Sequence, residues 1–266
     1  MIDIITIIKD YFKSKSLQEF INNRFWDTNR IIIPDALDKN GKYDLSTWMK
    51  IVSKDGKTFF YWDDLVTTIA SVKREYSYKD IKPSDIVLDI GGCIGAYGLQ
   101  ISHNVSKVFI VEPLLHERIE KNIQLTNKLT NNTIKNVQVL KCALGTTGTV
   151  EINFRWMKTT AQCYTLSELI SKCGGHIDVL KVDCEGAEWC ILPTELKDIR
   201  RIEMEIHTGT TKEWNNGISR KEAKTIVLTS DNKSYKDYIS MLESTGFNCE
   251  YEIIGSNTTL IHGFKK

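Results

Sequence analysis

The chain has 266 residues, of which 26% are charged, and a formal net charge of +1 at pH 7. This length accommodates one α/β domain with an extension. The near-neutral balance argues against a generally basic nucleic-acid-binding surface, and no acidic excess predicts a disordered tail. No apolar run reaches the length of a membrane span, and the short apolar segment at residues 1–12 lacks the basic start of a signal peptide.

Cysteine usage points away from metal-binding and disulfide-rich classes. Seven cysteines are spread along the chain without a single Cys-x-x-Cys pair. Several fall in predicted strands or helices, where a thiol packs as a small hydrophobic group. We therefore expect neither a zinc site nor a disulfide framework, and a reducing, cytoplasmic environment fits this pattern.

Residues 1–80 differ from the rest of the chain and predict an α/β N-terminal extension. Helix-like apolar spacing covers residues 4–25. Two short β-favouring segments, residues 48–52 and 58–62, predict an antiparallel hairpin. We expect this extension to form a cap on the substrate side of the main domain, residues 81–266, and to take part in acceptor recognition.

The segment from residue 86 to residue 112 is the most informative part of the chain. A β-favouring run, residues 86–90, leads into a loop that reads Gly-Gly-Cys-Ile-Gly, and a second buried strand, residues 108–111, stops at Glu112. Strand, glycine loop, helix, strand and terminal acid together make half of a nucleotide-cofactor site. Glycines let the backbone approach a ligand closely, and Glu112 is placed to accept hydrogen bonds from two ribose hydroxyls.

The spacing of the glycines favours S-adenosylmethionine over a dinucleotide. A dinucleotide loop reads Gly-x-Gly-x-x-Gly and holds a pyrophosphate with backbone amides and a helix N-terminus. In this chain two glycines are adjacent, and the leading Asp89 would repel a phosphate. An acid at that position suits a cofactor that carries an ammonium and a sulfonium. The alternative is an ordinary α/β turn with structural glycines.

Beyond the loop, predicted strands and helices alternate, as a parallel sheet flanked by helices requires. Further strands are predicted at residues 137–140, 178–182 and 201–206, and further helices at residues 114–129 and 234–245. The final segments, residues 247–253 and 259–264, predict a C-terminal antiparallel β-hairpin. A terminal hairpin on an otherwise parallel sheet distinguishes the class I methyltransferase fold from an NAD-binding Rossmann domain. We therefore predict a Rossmann-like, mostly parallel, seven-stranded sheet.

Acidic side chains are concentrated where the later strands end. Residues 181–188 read Lys-Val-Asp-Cys-Glu-Gly-Ala-Glu, and the next strand ends at His207. Burying such charges without partners is costly, and the carboxyl edge of an open α/β sheet is where ligands bind. A functional site is therefore the favoured interpretation of Asp183 and Glu185. For Glu188 the alternative is an acid that stabilises a helix N-terminus, and for His207 it is a structural histidine.

Several segments of the chain resemble the FkbM-like methyltransferases in order and spacing. These segments are V-L-D-I-G-G-C-I-G, F-I-V-E-P, C-A-L-G, T-L-S-E-L, D-V-L-K-V-D-C-E-G-A-E and I-E-M-E-I-H. The similarity covers about residues 75–208, and K-V-D-C-E-G-A-E is its most distinctive motif. The resemblance implies a class I S-adenosylmethionine-dependent fold, and characterised members are O-methyltransferases acting on hydroxyls of sugars, glycolipids or polyketide rings.

The resemblance also implies roles for individual residues. The positions that match the cofactor site are Gly91, Gly92, Cys93, Gly95, Glu112 and Pro113, with Cys142 and Ala143 near the adenine. The acidic motif near the transferred methyl corresponds to Asp183, Glu185 and Glu188, and we expect Glu188 and Glu205 to contact the acceptor. The family loop usually reads G-A-N-x-G, so Cys93 places a thiol where the family has an amide.

A base is needed to take the proton of an acceptor hydroxyl. Asp183 is the first candidate, followed by Glu185 and His207. Lys181 alternates with Asp183 along one strand, so both side chains face the same way and the ammonium can keep the acid ionised. A metal-dependent alternative would use Asp183, Glu185 and Glu205 as oxygen ligands of Mg²⁺.

The sequence as a whole predicts an S-adenosylmethionine-dependent O-methyltransferase for a sugar-like or other small polyhydroxylated acceptor. An RNA- or protein-modifying methyltransferase of the same fold is one alternative, and a non-catalytic binding module is another. The lack of a basic patch weighs against RNA. Retention of Glu112 together with Asp183 and Glu185 weighs against a non-catalytic module.

Overall fold

A computed structural model of the chain describes residues 50–52, 57–61, 75–154, 157–208 and 233–265. The helix predicted over residues 4–25 lies outside these ranges. The described residues fall into two compact units. Of the described residues, the first unit contains 50–52, 57–61 and 120–135. The second unit contains 75–119, 136–154, 157–208 and 233–265.

The first unit contains the two strands of the predicted hairpin. Strands β1 (Lys50–Val52) and β2 (Phe59–Tyr61) pair in antiparallel fashion. The backbone N–H of Phe59 donates to the hydroxyl of Thr126 at 2.9 Å, and that hydroxyl donates back to the Phe59 carbonyl at 3.1 Å. Phe59 also packs on Leu125, so β2 is attached to the helix that carries these two residues by both polar and apolar contacts.

The second unit is built on a seven-stranded sheet in the order β11-β12-β10-β9-β3-β4-β5. The bounds of these strands are β3 Ile86–Ile90, β4 Lys107–Val111, β5 Val137–Leu140, β9 Val179–Val182, β10 Arg201–His207, β11 Asn248–Ile253 and β12 Thr258–Phe264. Strands β3, β4, β5, β9 and β10 pair in parallel, and β12 lies antiparallel between β10 and β11. The predicted mostly parallel sheet with a C-terminal hairpin is confirmed.

In the described ranges, four α-helices and three 3₁₀ turns accompany the strands. They are α1 Ala96–Ile101, α2 His116–Thr130, α3 Leu166–Lys172 and α4 Tyr235–Ser244, with the turns Ser102–Asn104, Ala187–Cys190 and Pro193–Leu196. Helix α3 begins with a capping box. The Thr165 hydroxyl accepts from the N–H of Glu168, whose carboxylate accepts from the Thr165 N–H at 2.8 Å. In the described part of the chain, no helix is both long and apolar enough to cross a bilayer.

The chain segment between β5 and α3 forms a second, three-stranded sheet. It consists of β6 (Ala143–Leu144), β7 (Gly148–Phe154) and β8 (Met157–Tyr164). The sequence predicts only a short strand pair near residues 149–154. Strand β8 does alternate, since Ala161 and Cys163 are buried whereas Thr160 and Gln162 are exposed. Small and polar residues make that alternation weak in the sequence.

A row of charged side chains crosses the middle of the main sheet. Asp89 on β3 lies opposite Lys181 on β9, which lies opposite Glu203 on β10, which in turn lies opposite His262 on β12. Acids and bases alternate along this row. The Lys181 ammonium lies 3.3 Å from Asp89, and the His262 ring bonds Glu203 at 2.5 Å. Glu203 also pairs with Arg201 of its own strand at 2.6 Å, and such ion pairs offset part of the cost of burying charges in a sheet.

Candidate active site

The glycine loop after β3 packs directly against the end of β9. Gly91 has φ +76°, and a methyl group there would overlap the backbone oxygen of Asp183. A methyl group on Gly92 would overlap the side chain of Ile110. The N–H groups of both glycines donate to the carbonyl of Val111, at 3.0 and 3.2 Å. The loop therefore has a fixed shape set by its own backbone contacts, and only glycine fits its first two positions.

Glu112 ends β4 beside this loop, where the sequence predicts it. Its carboxylate is buried and accepts from the backbone N–H groups of Cys93 at 2.8 Å, Leu114 at 2.8 Å and Leu115 at 3.0 Å. Burial raises the pKa of Glu112, and these three donors offset part of the rise. A carboxylate has about four acceptor sites, so one remains. Cys93 contributes its backbone rather than its thiol to this arrangement.

The structure corrects the prediction that Asp89 faces the cofactor directly. Asp89 is fully buried beneath the loop, where it accepts from the N–H of Gly98 at 3.0 Å and pairs with Lys181. The Lys181 ammonium also donates to the carbonyl of Gly91 at 2.9 Å. Burial disfavours the charge of Lys181, but Asp89 and Asp183 outweigh it and raise the pKa of the ammonium. Asp89 thus supports the loop through Lys181, because its place in the charged row turns it inward.

The remaining cofactor-site predictions fall on buried side chains. Gly95, with φ +86°, begins helix α1. Cys142 and Ala143, expected near the adenine, follow β5 with both side chains buried. Burial raises the pKa of Cys142 to about 11, so the thiol stays protonated at neutral pH. Pro113 is half-buried directly after Glu112. A cofactor contact at Cys142 or Ala143 would therefore use backbone atoms.

Four of the predicted residues come together at the carboxyl ends of β9 and β10, and we call them the acidic cluster: Asp183, Glu185, Glu205 and His207. The exposed fractions of the three acidic side chains are 30% for Asp183, 42% for Glu185 and 17% for Glu205. The Nε2 atom of His207 lies 3.4 Å from Glu205 and 3.7 Å from Glu185. Lys181 approaches Asp183 to 3.9 Å, which confirms that the two side chains share a direction.

The acidic cluster has unusual protonation properties. Although part of the Glu185 side chain is exposed, desolvation of its carboxyl raises its pKa to about 7, with His207 opposing and Asp183 contributing to the rise. Burial alone would lower the pKa of His207, but the surrounding carboxylates outweigh burial and hold it well above its usual range. At neutral pH we therefore expect a cationic His207 and a Glu185 that is close to its midpoint.

Glu188 does not contact an open surface, contrary to the prediction that it binds the acceptor. Its side chain is fully buried. Gly186, with φ +104°, lets the chain turn into the 3₁₀ segment Ala187–Cys190, which carries the carboxylate back beneath the strand ends. There it accepts from the N–H of Cys184 at 2.7 Å and lies 3.2 Å from Nδ1 of His207.

Tyr76 lies at the candidate site although no sequence pattern indicated it. Its hydroxyl donates to Asp183 at 3.1 Å and lies 3.4 Å from Glu205, and its ring is 5.3 Å from the Lys181 ammonium. Burial raises the pKa of Tyr76, so it remains a hydrogen-bond donor. In the sequence, Tyr76 is one of many aromatic residues ahead of the main domain, for which packing is the simpler interpretation.

Each of Asp183, Glu205 and His207 offers one potential ligand atom, and these three atoms all lie within 4.8 Å of one another. A divalent cation could share three such groups. However, Nε2 of His207 faces two carboxylates, which hold a proton on that nitrogen rather than leave it as a metal ligand. We therefore do not assign His207 as a metal ligand.

Comparison with known proteins identifies the family. A family model described as the methyltransferase FkbM domain matches residues 89–249, more than half of the chain. The chain belongs to the FkbM methyltransferase family. This membership confirms the resemblance seen in the sequence motifs, and it supports S-adenosylmethionine as the cofactor of the glycine loop. No curated protein matches this FkbM family member by sequence.

Several solved structures resemble this FkbM family member at low identity. The FkbM methyltransferase from Methylobacillus flagellatus KT is 13% identical with a TM-score of 0.45, over 76% of this chain and 56% of that one. The fibrillarin pre-rRNA processing protein from Methanococcus jannaschii is 12% identical with a TM-score of 0.44, over 78% of each chain. Magnesium protoporphyrin IX methyltransferase from Synechocystis PCC 6803, with bound SAH, is 11% identical with a TM-score of 0.44, over 76% and 81%. Likenesses this weak carry no argument about the acceptor.

Proposed function

We propose that this FkbM family member is an S-adenosylmethionine-dependent O-methyltransferase acting on a hydroxyl of a sugar-like or other small polyhydroxylated acceptor. The position of Asp183 carries the proposal. Its carboxylate is partly exposed, its backbone touches the glycine loop at Gly91, and the Lys181 ammonium and Tyr76 hydroxyl support it. A supported acid beside a cofactor loop is what removal of a hydroxyl proton requires.

The residues present fit the cofactor in their chemistry. Glu112 keeps one acceptor site beside the glycine loop, which suits a hydrogen bond from a ribose hydroxyl. The acids of the acidic cluster suit a neighbouring sulfonium and ammonium. When bound, S-adenosylmethionine supplies a methyl group that is already activated toward a nucleophile.

In the proposed reaction, the chain contributes alignment and proton transfer. Asp183 would accept a hydrogen bond from the acceptor hydroxyl and orient its oxygen toward the activated methyl group. It would take up the hydroxyl proton as that oxygen is methylated. Glu185 is the second candidate for this base because its pKa is raised to about 7. His207 is less suited, since it is already protonated at neutral pH.

Acceptor recognition is assigned to groups outside the cofactor loop. Glu205 retains some exposure at the end of β10 and is proposed to contact the acceptor. We also propose that the N-terminal extension, residues 1–80, helps to select the acceptor. The contacts of Tyr76 with Asp183 and Glu205 support this, because they bring the end of that segment into the site.

Two measurements test the proposal. Titration calorimetry with S-adenosylmethionine should show binding, whereas NAD binding would overturn the cofactor assignment. Transfer of a labelled methyl group should then be measured into separate pools of glycans and small polyols, RNA and protein. Label that enters mainly the first pool is expected. Label confined to RNA or protein would replace the proposed acceptor, and absence of cofactor binding would indicate a non-catalytic module.

A further inference from the structure

Glu188 is a buried acid that the proposed reaction does not use. No part of its side chain reaches solvent. One oxygen accepts from the N–H of Cys184 at 2.7 Å and lies 3.2 Å from Nδ1 of His207. A fully buried carboxylate costs folding free energy unless a cation or several donors accompany it. The contact with His207 therefore indicates the role of Glu188.

The backbone of both partners is held by aromatic side chains. The indole N–H of Trp189 donates to the carbonyl of His207 at 2.7 Å, and the Tyr238 hydroxyl donates to the carbonyl of Glu188 at 3.0 Å. The rings of Trp189 and Tyr238 meet edge to face with centroids 5.0 Å apart. The Trp189 bond ties the 3₁₀ segment Ala187–Cys190 to the end of β10, and the Tyr238 bond ties the same segment to helix α4.

We propose that Glu188 is a positioning residue of the methyl transfer: its carboxylate holds the His207 ring in one orientation, with Nε2–H directed at the carboxylates of Glu185 and Glu205. The inference rests on the proposed function. Bonding of Nδ1–H to Glu188 fixes the ring, because the ring can then present only Nε2 to the acidic cluster. His207 thereby becomes a fixed cation among acids rather than the base.

Four carboxylates surround His207 in the described part of the chain, and they agree with this assignment. Glu188 approaches from the 3₁₀ segment, Glu185 from the loop after β9, Glu205 from the same strand, and Asp183 from the end of β9 within 4.8 Å. A cation held among them lowers the cost of keeping two neighbouring carboxylates ionised, and the acceptor base needs that ionised form.

Imidazole ¹⁵N NMR of the full-length protein tests the inference without an acceptor. The chain has five histidines, so a His207→Gln variant assigns the signal. In the wild type, both ring nitrogens of His207 should carry protons at pH 7. In Glu188→Gln, the pKa of His207 should fall by at least about 1. The matched control is Glu252→Gln, the same change at an exposed position of β11, which should leave the His207 signal unchanged.

Steady-state kinetics then test whether the contact between Glu188 and His207 affects methyl transfer. Glu188→Gln should lower kcat/KM by about tenfold or more and alter its pH profile, while the dissociation constant of S-adenosylmethionine stays within about twofold. A neutral His207 in the wild type would overturn the inference even if Glu188→Gln failed to fold. Unchanged kcat/KM in a folded Glu188→Gln protein would also overturn it. Failure to methylate polyhydroxylated acceptors would instead count against the proposed function, because the NMR result does not depend on the acceptor.

Discussion

The two halves of the candidate site satisfy their polar groups in different ways. On the cofactor side, Glu112 and the glycine loop are held by backbone N–H and carbonyl groups. On the acceptor side, Asp183, Glu185 and Glu205 are held by other side chains, chiefly Tyr76, Lys181 and His207. Backbone donors do not titrate, whereas side-chain partners do. The cofactor half should therefore be preformed over a wide pH range, and the acceptor half should depend on the protonation of a few groups.

The largest effect is expected on the cofactor side, at Gly91. Gly91→Ala combines a positive φ with an overlap on the backbone of Asp183, and should weaken cofactor binding by more than about 100-fold. The matched control is Gly174→Ala, which has φ +100° but open space around it. That change should cost only about 1–2 kcal/mol of backbone strain and leave binding intact. Calorimetry and chemical denaturation measure both; wild-type affinity in Gly91→Ala would contradict a preformed loop.

On the acceptor side, Asp183→Asn should lower turnover by at least about 100-fold and leave cofactor affinity unchanged. Removing the base without removing its volume isolates proton transfer from packing. Asp198→Asn, an exposed position before β10, serves as the control and should behave as wild type. If Asp183→Asn turned over normally and only a chelator stopped the reaction, the magnesium-dependent alternative would take the place of the base mechanism.

Glu112→Ala should weaken cofactor binding by about 10- to 100-fold, because a hydrogen bond to a charged group contributes about 1.5–3 kcal/mol. The structure adds a second expectation. Three backbone N–H groups lose their acceptor, so the free energy of unfolding should also fall. Binding is measured by calorimetry and stability by urea denaturation. Unchanged affinity in a folded Glu112→Ala protein would remove Glu112 from the cofactor site.

The pH dependence should come from the acceptor side. Glu185 ionises near pH 7 in the folded protein but near 4.5 when unfolded, so the folded state binds more protons between these values. Stability should accordingly decline as pH rises from about 4.5 to 7, and Glu185→Gln should remove that decline. Turnover should fall about tenfold per pH unit below about pH 7 if Glu185 must be ionised. Parallel denaturation and rate measurements on both proteins check this; an identical pH dependence in the variant would refute it.

The smallest effect concerns the hydroxyl of Tyr76. Tyr76→Phe removes a donor to Asp183 and should cost about 1 kcal/mol of stability with a modest loss of turnover. Tyr97 provides the matched control, because its ring lies 5.8 Å away and its buried hydroxyl has no hydrogen-bond partner in the described part of the chain. Tyr97→Phe should cost nothing. Equal losses in the two variants would show that Tyr76 contributes only packing.

The sequence was sufficient to predict the sheet and the sheet edge at which the acidic cluster lies. Alternating apolar strands, the paired glycines and the terminal Glu112 are local patterns with direct structural meaning. The burial of Asp89 and Glu188 was not predictable in this way. Which way an acid at a strand end turns depends on its partners across the sheet, Lys181 and His207, and these lie far away in the chain.

Tyr76 is a second example of a site residue that local sequence patterns do not predict. A single tyrosine in a segment rich in aromatics carries no local sign of its partners, which lie 107 and 129 residues further along. The identity of the base is likewise set by relative protonation within the acidic cluster. That property depends on distances between side chains rather than on residue types.

The charged row across the main sheet has a consequence for how the strands find one another. Sliding β9 by one residue against β3 would put Leu180 or Val182 in place of Lys181, and Asp89 would lose its cation. An apolar sheet tolerates a slipped pairing more readily than one that would leave a buried carboxylate without a cation. The charged row therefore disfavours a misaligned pairing of these strands. The same strand alignment brings Asp183 to the level of the glycine loop, so correct assembly of the sheet and assembly of the site are one event.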